Sequence, residues 1–137
     1  MDADREEVSM TRDARQPPDV PRPRAAYSPV VVAGPLAFTA GQVAFGPDDT
    51  LVAGGVEEQT RQVLDNVERC LASAGCGMDD VVKVTAFLSD LADFGAYNRV
   101  YEQRFAAPYP ARSTVGAQLA DGLLVEIEAV ALLPQDQ

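Results

Sequence analysis

The segment VEEQTRQVLDNVERCLASAG, residues 56–75, carries Val56, Thr60, Val63, Leu64, Val67, Leu71 and Ala74 at three- and four-residue intervals. That spacing lines one face of an α-helix, and Gly75 supplies its stop. Upstream, YSPVVVAGPLAFTAGQVAF, residues 27–45, holds two short apolar, β-branched runs split by Gly34-Pro35, which reads as a hairpin. Downstream, Val81 to Leu88 reads as a strand. Asp90 then offers the N-cap of a second helix, on which Phe94, Tyr97, Tyr101 and Phe105 recur every three or four residues. Pro108 and Pro110 close that helix, and two last strands are expected at about 112–118 and 123–133, joined by Ala120-Asp121-Gly122. The order ββ-α-β-α-ββ predicts an α+β domain, a mixed sheet covered on one face by two helices.

At 137 residues, 47% hydrophobic and 23% charged, the chain has the balance of one globular domain. Residues 1–24 contain four prolines and five arginines with almost no large apolar side chain, so they read as a disordered tail ahead of a domain spanning 25–137. No apolar run approaches the roughly 20 residues a membrane helix needs, and MDADREEVSM is charged where a signal peptide would be apolar. The expectation is a cytoplasmic protein without a membrane partner, with Cys70 and Cys76 as reduced thiols.

The chain has no histidine, which excludes Ser-His-Asp, Cys-His and His-ligated metal chemistry. Two cysteines with five residues between them provide no CxxC metal pair either. The formal charge is −10, and because residues 1–24 hold six acids against five arginines, residues 25–137 carry −9. Such a surface repels phosphate backbones, so no nucleic-acid partner is expected.

Chemistry must therefore come from carboxylates, guanidinium, hydroxyls, backbone and water. In Arg112-Ser113-Thr114-Val115-Gly116, strand alternation puts Arg112, Thr114 and Gly116 on one face. In the last strand Leu124, Glu126, Glu128, Val130 and Leu132 share a face, so two carboxylates interrupt an apolar stripe. Two readings stay open on pattern alone. Arg112 is half of a structural ion pair and the glutamates are solvated, or Arg112 and a Glu126 brought near it by the facing hairpin hold a substrate carboxylate and position a water. The aromatics of the second helix read as core packing. Asp48-Asp49 and Asp79-Asp80 read as loop and cap residues, lacking the spaced acids of an EF-hand.

Six segments occur in a recognisable order: Tyr27-Ser28-Pro29, Thr39-Ala40-Gly41-Gln42, Leu64-Asp65-Asn66-Val67, Tyr97-Asn98-x-x-Tyr101, Pro110-Ala111-Arg112-Ser113-Thr114-Val115 and Val125-Glu126-Ile127-Glu128-Ala129. Together they resemble the RidA (YjgF-like) family of reactive-intermediate deaminases, from about Tyr27 to Leu133. The resemblance implies a chorismate-mutase-like fold, a homotrimer with clefts between neighbouring subunits, and cofactor-free hydrolysis of 2-aminoacrylate-like enamines and imines to 2-oxo acids and ammonia. It makes Arg112 the carboxylate anchor and Glu126 the residue that positions water. Tyr27, which closes the cleft, Asn98, Ala40, Gly41 and Thr114 are the implied substrate-binding set. The chain departs from the usual pattern at Ala40, commonly serine, and at Thr114, commonly cysteine. The span between Arg112 and Glu126 is also about one residue short. A small-carboxylate-binding regulator without catalysis, or an enzyme for another imine in a dedicated pathway, are the alternatives. Ribonuclease activity, also attached to the family, conflicts with the acidic domain.

Overall fold

The computed structural model describes residues 11–135. Six strands, β1 (Asp13–Arg15), β2 (Val30–Ala33), β3 (Leu36–Thr39), β4 (Val81–Leu88), β5 (Ala111–Gly116) and β6 (Val125–Leu132), form one sheet in the order β1-β2-β3-β6-β4-β5. Two helices, α1 (Val56–Ala72) and α2 (Phe94–Arg104), complete the α+β fold. The hairpin turn falls at Gly34, whose φ of 58° suits a residue without Cβ. Asp90 caps as its sequence context predicts, accepting a hydrogen bond from Ala92 N at 2.9 Å at the 3-10 turn that leads into α2.

The inner sheet face is apolar. Val84, Ala86 and Leu88 of β4 and Val125, Ile127 and Ala129 of β6 are buried against Val63, Leu64, Val67 and Leu71 of α1 and Tyr97, Val100 and Tyr101 of α2. Two buried polar side chains of α1 anchor loops to that core. Asn66 donates from Nδ2 to Val43 O at 3.0 Å and Phe45 O at 2.9 Å. Gln59 donates to Gly122 O and accepts from Leu124 N, both at 2.9 Å. Each is buried with its hydrogen bonds made, which is the condition for keeping an amide in a core.

The structure corrects two expectations. The last two strands do not pair with each other: β4 lies between them, parallel to β5 with Arg112 opposite Val84 and antiparallel to β6 with Glu126 opposite Phe87. β4 buries Val81, Val84, Ala86 and Leu88 along its length, whereas β5 has no fully buried residue, so β4 takes the inner place and β5 the edge.

The second correction concerns the tail. Of residues 1–24, the first ten lie outside the described residues, but 11–24 pack on the domain. β1 pairs with β2, Arg15 Nη1 donates to Ser73 O at 2.6 Å, and Asp19 lies 3.4 Å from Arg69 Nε. Val20 is 5% exposed in a small cluster with Val30 and Cys70. Strand pairing, these two polar contacts and the burial of Val20 together order a segment whose composition alone would leave it free.

Both cysteines are buried and free, and burial, with a smaller contribution from Asp19, pushes the Cys70 thiol up to about 12. No helix among the described residues is long and apolar enough to cross a membrane.

Removing residues 1–22 deletes β1 and uncovers Val30 and Cys70. It is expected to cost at least about 1.5–3 kcal/mol, the worth of one buried aliphatic side chain, and to open Cys70 to a thiol reagent under native conditions. An unchanged thermal midpoint and an unreactive Cys70 would show that the segment only rests on the surface.

Candidate active site

Arg112 lies on the helix-covered face of β5 and is half-buried. Its guanidinium carbon stands 4.3 Å from the centroid of Tyr101, 5.5 Å from Tyr97 and 5.6 Å from Phe94, so three rings of α2 and its approach form a cage around the charge. Nη1 donates to Asn98 Oδ1 at 2.8 Å and, more weakly, to the Tyr97 hydroxyl at 3.4 Å. Asn98 is itself oriented, since its Nδ2 donates to Glu102 Oε1 at 3.1 Å, which turns its carbonyl toward Arg112. Tyr97 also shares a 3.1 Å hydrogen bond with Thr114 Oγ1.

These contacts occupy one corner of the guanidinium. Among the described residues, Nε and Nη2 make no hydrogen bond, and no carboxylate lies within ion-pair distance of Arg112. The free edge is the two-donor fork that matches a carboxylate, and it borders a cleft lined by Asn98, Tyr101, Glu102, Tyr109 and Pro110. The structural ion-pair reading of Arg112 is not what the fold contains.

Tyr97, Tyr101 and Phe94 were expected to be packing residues only. Tyr97 and Tyr101 are indeed core residues, and with Phe94 they also hold Arg112 in place. The signal was present in their helical spacing beside Asn98, but which face of the sheet they would meet was not. Among the described residues the Tyr101 hydroxyl is buried without a hydrogen-bond partner, and burial pushes its pKa up to about 12, with Arg112 opposing and Tyr97 adding to the rise, so it stays neutral.

A second group forms on the other face of the sheet. Gln42 bridges to Ile127, with Gln42 N to Ile127 O at 2.8 Å and the return bond at 3.1 Å, which seats Gly41 beside Glu126. A Cβ at Gly41 would lie 2.9 Å from the Glu126 carboxyl carbon, so only glycine leaves this carboxylate its position. Gly41 and Tyr27 then line one cleft together. Ala40 adjoins them, its N–H bound to Pro29 O at 2.8 Å.

Glu126 is half-buried and Glu128 exposed on this uncovered face, among Phe38, Val115 and Leu132, which are 38%, 43% and 43% exposed. Burial, and secondarily repulsion from Glu128, raises the Glu126 pKa above its ordinary value.

The predicted site residues thus fall into two groups. Arg112, Asn98 and Thr114 gather at α2, while Tyr27, Ala40, Gly41 and Glu126 gather across the sheet. Arg112 and Glu126 point to opposite faces with β4 between their strands, so the expected proximity of the two within one chain does not occur.

Because a like charge adds to the Glu126 shift, Glu128→Gln is expected to lower the Glu126 titration midpoint, while burial keeps it above that of an ordinary glutamate. Carbon-13 NMR of the side-chain carboxyls measures both values. Equal midpoints in the two proteins would mean that the glutamates do not interact.

With this geometry in place, comparison with known proteins is informative. The family model described as endoribonuclease L-PSP matches residues 18–133. A RutC family protein of Synechocystis is 44% identical over 129 residues, covering 91% of this chain and 99% of its own. The human protein named 2-iminobutanoate/2-iminopropanoate deaminase is 40% identical over 108 residues, covering 77% of this chain and 79% of its own. The crystal structure of E. coli TdcF with bound serine has a TM-score of 0.83 at 32% identity, covering 89% of this chain and 99% of that one. The caged arginine, the glycine-seated glutamate and these matches lead to one assignment: the chain belongs to the endoribonuclease L-PSP family, the YjgF/RidA family.

Proposed function

We propose that the chain is a hydrolase of small imine and enamine carboxylates, releasing a 2-oxo acid and ammonia, and that it works as a homotrimer. The observation that carries this reading is the free Nε–Nη2 fork of Arg112, caged by aromatic rings and lacking a carboxylate partner among the described residues. A guanidinium so held is preorganised for a planar carboxylate, with little side-chain entropy left to lose. The name of the human relative and the serine bound to TdcF support the same substrate size, an amino-acid-like carboxylate.

The reaction is redox-neutral and consumes only water, so its balance calls for no cofactor. An enamine such as 2-aminoacrylate first tautomerises to the imine. With the carboxylate on Arg112, water adds to the C=N carbon. Ionised Glu126 takes a proton from that water, and the imine nitrogen gains one as the carbinolamine forms. Glu126 returns its proton to the nitrogen, the carbinol hydroxyl gives its own proton to solvent, replacing the one the imine nitrogen took up from solvent, and the C–N bond breaks to leave the 2-oxo acid and ammonia. Imines hydrolyse readily in water, so a positioned base and a fixed electrophile suffice for useful acceleration.

Assembly follows from the separation of the two groups. Neither face of one chain holds both Arg112 and Glu126, so a neighbouring copy would present its Tyr27–Gly41–Glu126 group to the Arg112 cleft. The uncovered sheet face, apolar apart from its glutamates, Lys83 and hydroxyls, is the surface such copies would bury. A binding-only regulator remains the second reading, favoured by Ala40, whose methyl stands where a family hydroxyl is common. Turnover separates the two. RNA cleavage is disfavoured by the −9 carried by residues 25–137.

Light scattering at micromolar concentration is expected to give three times the 14.6 kDa chain mass. A monomer mass would break the shared-cleft mechanism. Arg112→Ala is expected to lose on the order of 2–5 kcal/mol of transition-state stabilisation, roughly thirty-fold to several thousand-fold in kcat/KM. Arg112→Lys should do nearly as badly, because an ammonium cannot form the two-bond fork. Pyruvate release from 2-aminoacrylate generated in situ measures the rate, and an active Arg112→Ala protein would end the mechanism.

A further inference from the structure

The cleft containing Tyr27 and Gly41 has a wall that the mechanism does not use. Pro21, Arg22, Pro23 and Arg24 form it, and Phe45 and Asp49 stand opposite. Arg24 is fixed there, its Nη2 2.7 Å from Asp49 Oδ2 and its guanidinium carbon 5.0 Å from the Phe45 centroid. Arg22 differs. Among the described residues it has no hydrogen bond and no ion pair, although acids outnumber bases in residues 25–137 by nine. It is held between two prolines, whose restricted φ stiffens the segment, and Val20 anchors that segment in the core.

The cleft lining therefore carries two guanidinium groups against one carboxylate, a local positive excess in an otherwise acidic domain. Gly41 lines this cleft and also abuts the Glu126 carboxyl, so the arginine-bearing wall and the proposed reaction centre share a residue.

We infer that Arg22, with Arg24 beside it, forms a subsite for a second acidic group, so that the protein prefers imines of four- and five-carbon dicarboxylic amino acids over imines with apolar side chains. The inference rests on the imine-hydrolase reading for the reacting group and adds the side chain that group carries. Arg112 would take the carboxylate next to the C=N bond, and Arg22 the distal one. Arg24, already paired with Asp49, acts as a positioning residue that keeps the wall in place.

The test has a binding arm and a turnover arm. In the first, titration calorimetry compares 2-oxoglutarate with pyruvate on the full chain. The expected result is about ten-fold tighter binding of the dicarboxylate, with the preference lost in Arg22→Ala and reversed in Arg22→Glu. Arg22 is exposed and makes no hydrogen bond or ion pair among the described residues, so both variants are expected to keep the parent thermal midpoint. In the second arm, amino-acid oxidases with catalase generate imines from L-glutamate and L-alanine, and semicarbazide competes for them. Arg22→Ala is expected to lower kcat/KM for the glutamate-derived imine about ten-fold and to leave that for the alanine-derived imine within two-fold. Equal affinity for the two acids, or an equal effect of Arg22→Ala on both imines, would overturn the subsite. If neither imine is hydrolysed, the enzyme reading fails by itself. The binding arm then still decides whether Arg22 selects a dicarboxylate.

Discussion

The arrangement of this protein depends on one strand. β4 runs from Val81 to Leu88 between β5 and β6, and both strands that carry the charged site residues take their register from it. Parallel pairing on one side and antiparallel on the other sets Arg112 beside Val84 and Glu126 beside Phe87. Because paired residues share a face, the alternation along β4 sends the guanidinium inward to α2 and the carboxylate outward. Two groups separated by two strand spacings across the sheet and three residues along β4, and on opposite faces, cannot act on one small substrate in one chain.

The two charges are treated in opposite ways. Arg112 is surrounded by rings and a neutral amide, so its charge is balanced by π-faces and by an Asn98 carbonyl that Glu102 keeps pointed at it. This leaves a fork of donors without a resident anion. Glu126 is half-buried with a like charge nearby, which raises its proton affinity. A carboxylate with raised proton affinity is a stronger base than an ordinary one, and an arginine without a carboxylate partner is the better anchor. Each departs from the ordinary partnered surface charge in the direction its proposed role requires.

The segment before Tyr27 belongs to the same economy. Its composition is that of a linker, yet Val20 and the Asp19–Arg69 contact pin it, and two of its arginines, Arg22 and Arg24, line a cleft with Gly41. Val20, beside Val30 and Cys70, supplies the apolar part of that fastening, and the Arg24–Asp49 ion pair the part nearest the cleft.

Local periodicities were legible from the sequence alone. The buried face of α1 at Val56, Thr60, Val63, Leu64, Val67 and Leu71, the run Val81–Leu88, the Asp90 cap, the Gly34 turn and the outward alternation of Glu126 and Glu128 each follow from backbone geometry within a few residues. The order of six motifs carried the family as well. Strand partners were not legible, because pairing joins residues far apart in sequence and is chosen by which strand best fills the sheet centre. The same limit hid the neutral Asn98 partner of Arg112, the aromatic cage and the docking of residues 11–24. Each of these is a contact between segments whose own composition is silent about the other, and only the packed sheet and helices brought them together.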